Sequence, residues 1–249
     1  MREPQAPIAE VFASFQGEGL YVGKAQVFVR FAGCDLRCGY CDTPYARTIP
    51  EHCTVHLPGG GVQSIGNPVP VERVMMAVEE LLGGDVGLCS VALTGGEPLL
   101  YPDYINRLAP LLSDAGLEVY LETAGHLPDA LERIIDRVDV ISGDIKLHQT
   151  MERAVPYEMM ARFWSIAVQA NPFAKIVVTD QVDCEGLAQA CEQLGPPVRA
   201  LPVVLQPVTP AGAFHPPDPE TLWLLAGEAG RWFESVRVLP QCHTLMGVR

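Results

Sequence analysis

Cys34, Cys38 and Cys41 stand within AGCDLRCGYCDT, a C-x3-C-x2-C spacing that puts three thiols on one short loop. Three thiolates so close in sequence ligate a single metal centre only if the chain wraps around it, and Gly33 and Gly39 permit that wrapping. Three sulfurs leave one coordination position open. A structural zinc would close with a fourth Cys or His, for which His52, Cys53 and His56 are available. An iron–sulfur cube on three protein thiolates instead leaves one iron for an outside ligand, an arrangement suited to catalysis.

Other polar residues cluster at the ends of apolar runs. In Thr94-Gly95-Gly96-Glu97-Pro98 two glycines let the backbone approach a ligand, and a carboxylate there can pair with a cation. Glu122 in LETAG ends one apolar run; Ser142-Gly143-Asp144, with Lys146, ends another. Phe15-Gln16-Gly17-Glu18-Gly19 precedes the cysteine loop, and Arg30 lies between them. A carboxylate accepts from an amidine-like N–H pair and an arginine grips a carboxylate with two parallel bonds, so these residues suit a polar, carboxylated ring.

These residues need strands that end at one face. Strands are expected at 26–31, 90–94, 118–122, 138–145, 175–179, 203–206 and 235–239, where β-branched residues concentrate. Between them, helices are expected at 71–82, 102–115, 128–137, 157–170, 185–194 and 218–230. The clearest has Val71, Val74, Met75, Val78, Leu81 and Leu82 on one face and stops at Gly83-Gly84. Strand then helix, repeated about six times, predicts an α/β chain with parallel strands and right-handed crossovers, closed as a partial or full (β/α) barrel whose chemistry sits at the carboxyl ends of its strands. The Gly- and Pro-rich stretch 47–70 reads as an inserted loop or small hairpin, and nothing marks a second domain.

The 249 residues carry 17 basic and 30 acidic side chains, a net charge of -13 that argues against a nucleic-acid surface. No apolar run is long enough to span a bilayer and no secretory pattern opens the chain, so a cytoplasmic protein is expected, and its eight cysteines are read as buried thiols or metal ligands.

The cysteine loop, with Tyr40 just before its last cysteine, resembles the signature of the radical S-adenosylmethionine (SAM) superfamily, and TGGEP resembles that superfamily's SAM-binding strand end. The resemblance implies a partial (β/α)6-type TIM barrel of about six units and a [4Fe-4S] cluster on Cys34, Cys38 and Cys41 whose free iron chelates SAM. It also implies one-electron cleavage of SAM to a 5′-deoxyadenosyl radical, and SAM contacts from Tyr40, Gly95, Gly96, Glu97, Glu122, Ser142, Gly143, Asp144 and Lys146. SFQGEG, VGKAQVFVRFAGCDLRCGYCDT, TGGEP and the final LPQCHTLMGVR together resemble the 7-carboxy-7-deazaguanine synthases. That family converts 6-carboxy-5,6,7,8-tetrahydropterin to 7-carboxy-7-deazaguanine with loss of ammonia, on the route to queuosine and other 7-deazapurines. By this resemblance Phe15, Gln16, Gly17, Glu18, Arg30 and Thr94 would meet the pterin, with His243 and Arg249 as further candidates. Thr43 would ligate Mg2+, flavodoxin or ferredoxin would supply electrons, and the protein would be a homodimer.

Two other readings use the same loop: an activase that makes a glycyl radical on a partner protein, and a zinc or electron-transfer module without catalysis. The polar residues around FQGEG describe a small-molecule pocket and disfavour an activase. Cys184 and Cys191, seven apart on one helix, read as core, as do Cys89, Cys242, Trp164, Trp223 and Trp232. Cys53, His52 and His56 read as exposed and inert.

Overall fold

The computed structural model describes residues 3–83 and 87–249. The chain opens with β1 (Gln5–Ala6), β2 (Ile8–Phe15) and β3 (Ala25–Phe31), followed by the cysteine loop. A hairpin of β4 (His52–His56) and β5 (Val62–Gly66) comes next, then β6 (Val69–Pro70), which pairs with β1. From there helix and strand alternate: α1 (Val71–Leu82), β7 (Ser90–Gly95), α2 (Pro102–Asp114), β8 (Glu118–Thr123), α3 (Pro128–Glu132) and β9 (Val140–Asp144). The series continues with α4 (Tyr157–Ala167), β10 (Asn171–Val178), α5 (Cys184–Leu194), β11 (Pro202–Pro207), α6 (Pro219–Ala229), β12 (Ser235–Val238) and a terminal α7 (Cys242–Met246).

Ten of these strands form one sheet in the order β12-β11-β10-β9-β8-β7-β3-β2-β4-β5. From β12 to β3 every neighbouring pair is parallel, and α1 to α6 supply the six crossovers the sequence predicts. The edges are β12 and β5, so the sheet stays open as a partial barrel.

The chain departs from expectation at its start. β2 is an additional strand, antiparallel to β3, and β4 adds to β2 in parallel. The stretch 47–70 is therefore a hairpin that widens the sheet. Glu10 and Ser14 hide β2 in the sequence by interrupting its apolar pattern. At the end of α1 Gly83 is the C-cap residue; Gly84, the other half of the expected stop, lies outside the described residues. α3 ends at Glu132, and a separate 3-10 turn covers Ile135–Arg137.

Period-two alternation sorts the strand residues onto two faces. Val27, Val29, Phe31, Val91, Leu93, Val119, Leu121, Ile141, Ala174, Ile176, Val203 and Leu205 pack outward into the main core against the helices. Their alternates face inward. Phe12, Phe28, Ala92, Tyr120, Val140, Phe173 and Val204 form a second apolar cluster, joined by Leu20 and Tyr21 of the β2–β3 connection. Two residues further along each strand the inward positions become polar: Arg30, Thr94, Glu122, Ser142, Lys175 and Gln206. The apolar cluster thus floors the inner face, and the polar row stands above it.

Trp164 is buried as expected, whereas Trp223 is 80% exposed because α6 buries its Leu225 and Ala229 face instead. Cys191 is buried and Cys184 half-buried, but Cys89 is exposed on the approach to β7. Cys53 reverses its expectation: it is wholly buried in β4 as part of the main core.

Candidate active site

The polar row borders a cavity of about 440 Å³. Cys34, Cys38 and Cys41 line it together with Phe15, Gln16, Gly17, Glu18, Arg30, Tyr40, Thr43, Thr94, Gly95, Gly96, Glu122, Ser142, Asp144, Lys146, His243 and Arg249. Two of the expected residues, Glu97 and Gly143, are not part of this wall.

The cysteine loop follows β3 directly and is tied down at several points. Gly33 N–H bonds Ala46 O, Gly39 N–H bonds Thr150 O, and Cys38 forms an isolated bridge with Met151. Arg37 donates to Cys34 O at 3.0 Å and Arg47 to Cys38 O at 2.5 Å. Asp35 accepts from the buried His126, 2.9 Å away. Burial pushes the Cys34 thiol up to about 11, with Glu97, Cys38 and Asp35 adding to the rise against one backbone hydrogen bond. A thiolate there calls for a metal as countercharge. The donor set around the cavity is three sulfurs from one loop, which fits an iron–sulfur cluster. The proposed zinc closure does not fit: none of its three candidates lines the cavity, since Cys53 is packed in the core, His56 is bonded to Glu10 at 3.1 Å and His52 is exposed on β4.

Glu18 stands in the cavity wall. Lys175 donates to one carboxylate oxygen and Gln241 Nε2 to the other at 2.6 Å. Burial alone would raise its pKa, but the Lys175 charge and these two bonds, with His243 nearby, bring it down to about 2. Glu18, Asp42 and His243 bring ligand-type atoms within 4.8 Å of one another. Gln241 Nε2 bridges the two carboxylates, bonding Asp42 at 2.9 Å as well, so an amide donor already links them.

Glu122 accepts from Thr94 Oγ1 at 2.5 Å and Gln16 Nε2 at 2.7 Å. Burial, with Glu18 close by, holds its carboxyl above the usual range despite Lys175, Thr94 and Gln16. Thr94, Gln16 and Glu122 therefore form one network joining three of the motifs. On the next strand Asp144 pairs with Lys146 at 2.5 Å, and Lys146 reaches the Tyr40 hydroxyl at 3.2 Å.

Arg30 donates through Nε to Glu10 at 2.8 Å. Glu10 also receives Tyr45 Oη at 2.8 Å and Arg249 Nη1 at 3.0 Å. Burial opposes its ionisation, but the Tyr45 bond and the arginine charges win and lower its pKa. Thr43 flanks the 3-10 turn Pro44–Arg47 without capping it through its side chain. The terminal segment closes the cavity over β2: Cys242 N–H bonds Gly17 O, and Ser14 Oγ donates to Arg249 O at 2.8 Å.

Glu97 is fully buried and spends its carboxylate on Leu99 N–H, Thr123 Oγ1 and Ala124 N–H. It joins the TGGEP turn to the end of β8, so its side chain stands behind the cavity wall where the expected SAM-contact residues Gly95 and Gly96 line it. Gly143 has the opposite parity to Ser142 and Asp144 and packs against Trp164 and Phe163 of α4, away from the cavity.

Lys175, Gln241, Asp42, Glu10, Tyr45, Arg47 and Gln206 line the cavity without having been singled out in the sequence. Lys175 carried a signal: it is the one charge within the apolar strand NPFAKIVV, at inward parity. Gln241 had none, since only the fold brings the C-terminal segment over Glu18.

Comparison with known proteins agrees with this geometry. Residues 28–153 match the radical SAM superfamily. The chain is 39% identical to the 7-carboxy-7-deazaguanine synthase of Geobacter sulfurreducens over 99% of both proteins. It is 37% identical to that of Methanopyrus kandleri, over 98% of this chain and 94% of the relative. Among solved structures, QueE from Escherichia coli shares the fold with a TM-score of 0.61 and 21% identity, covering 96% of this chain and 95% of its own. With its three cysteines on the loop after β3 and near end-to-end likeness to these relatives, the chain belongs to the 7-carboxy-7-deazaguanine synthase family of radical SAM enzymes.

Proposed function

We propose that this enzyme converts 6-carboxy-5,6,7,8-tetrahydropterin to 7-carboxy-7-deazaguanine and ammonia, with Cys34, Cys38 and Cys41 holding a [4Fe-4S] cluster. The observation that carries this reading is the meeting of the cysteine loop, TGGEP, SGDIK and FQGEG on one cavity in a chain that resembles synthases of that name over its whole length. Cluster and SAM, when bound, supply a one-electron cleavage that delivers a hydrogen-abstracting carbon radical.

The chain's own residues would then orient and select. Glu18, held ionised, accepts from the N–H edge of the pterin ring, while Arg30 and Arg249 offer their guanidinium groups to the substrate carboxylate. Thr43, Asp42 and the substrate carboxylate are the hard oxygen donors that Mg2+ prefers, and the Thr43 hydroxyl is not committed to a helix cap. Ser142, Asp144, Lys146, Tyr40 and Gly96 make the SAM side of the cavity. Flavodoxin or ferredoxin suits the electron supply, and a homodimer is the assembly we infer.

Anaerobically reconstituted protein given carboxytetrahydropterin, SAM, reductant and Mg2+ should yield a product lighter by one ammonia, with SAM recovered. Reductive SAM cleavage without that product would overturn the substrate assignment.

A further inference from the structure

β10 has one charged side chain, Lys175, in register with Asp144 of β9. Its ammonium lies 3.4 Å from Asp144 Oδ1 and bonds Glu18 Oε2, so a single cation spans the SAM wall and the substrate wall. The two carboxylates depend on it unequally. Asp144 has a second cation in Lys146 at 2.5 Å. Glu18 forms its lysine ion pair with Lys175 alone among the described residues, and its other side-chain bond comes from the neutral amide of Gln241. The other ionisable side chains beside it are Glu122, whose carboxyl and that of Glu18 oppose each other's ionisation, and Asp42 and His243, which bring atoms within 4.8 Å.

We propose that Lys175 is a positioning residue for the pterin: it holds the Glu18 carboxylate in the orientation that meets the N–H edge of the ring. The proposal rests on the reading of this cavity as a carboxytetrahydropterin site. Removing one member of a buried pair leaves the other charge unpaired, which is the larger penalty, and that penalty falls on Glu18 because Lys146 still serves Asp144.

The experiment compares Lys175→Met, Lys175→Arg, Glu18→Gln and the double variant Lys175→Met with Glu18→Gln, all as reconstituted holoenzyme. KM for carboxytetrahydropterin and reductive SAM cleavage without pterin are both read. Lys175→Met should raise the pterin KM by about tenfold or more, as expected for truncating a buried charge pair at a binding site. SAM cleavage should fall by a clearly smaller factor than pterin affinity, because Asp144 loses one of its two lysines and keeps Lys146, whereas Glu18 loses the one it has. Lys175→Arg should recover most of the affinity. In the double variant, which removes the orphaned charge, the two substitutions should be non-additive on KM. An unchanged KM in Lys175→Met, additive effects, or SAM cleavage falling in step with pterin affinity would each overturn the proposal. Failure of the unmodified enzyme to turn over the pterin would instead bring down the substrate reading.

Discussion

The backbone of Gly143 lies against the indole of Trp164 so closely that a Cβ at this position would stand 2.6 Å from the ring. The contact fixes β9 against α4 and so sets the height of Ser142 and Asp144 in the cavity wall. Gly143→Ala should therefore destabilise the fold by roughly 1–3 kcal/mol, the usual penalty of overpacking, as read by denaturant unfolding. An unchanged midpoint would mean that the strand and α4 can separate freely.

Cys34→Ala removes one of three sulfur ligands from a loop with no fourth cysteine close at hand. Reconstituted protein should lose its broad absorbance at roughly 400 nm and its reductive SAM cleavage. Wild-type iron content in this variant would show that another side chain completes the ligand set.

Thr43→Ala deletes an oxygen donor while leaving the cysteines in place. SAM cleavage should persist, whereas the Mg2+ concentration needed for product formation should rise by about an order of magnitude. A magnesium dependence identical to wild type would remove Thr43 from the metal's surroundings.

Glu18 ties part of the fold's stability to pH. Its folded pKa of about 2 lies below the 4.5 of an ordinary glutamate, so its contribution is present above 4.5 and is lost as pH falls towards 2. Thermal unfolding of Glu18→Gln should show a smaller stability loss between pH 5 and pH 2.5, about the edges of that window, than the wild type shows. Equal acid sensitivity would mean the Lys175 pair does not bias folding.

Trp164 and Trp223 make a matched comparison. Trp164 is wholly buried, and Trp164→Ala should cost about 3–5 kcal/mol. Trp223 is 80% exposed, and Trp223→Ser should change stability by no more than about 0.5 kcal/mol. A large loss at Trp223 would point to a covering partner in solution.

The chemistry legible in the sequence is local. The cysteine loop is readable because its three ligands lie within eight residues, and the six β/α units are readable because each repeats its own hydrophobic period. The motif glycines were harder to interpret. Gly96 and Gly143 stand in similar strand-end runs, yet Gly96, in the turn just past β7, lines the cavity, whereas Gly143, still within β9 and of opposite parity to Ser142, packs on a helix.

What the sequence determined by itself was the cysteine loop, the order of the six β/α units and the strand ends where function would gather, all set by interactions between near neighbours. Only the tertiary structure decided the pairings across the cavity. Lys175 reaches Glu18 over 157 positions, Gln241 reaches it over 223, and Glu97 turns inward to hold β8. Those choices follow from curling the sheet, which brings distant side chains into a space shielded from water, where each buried charge must find a partner.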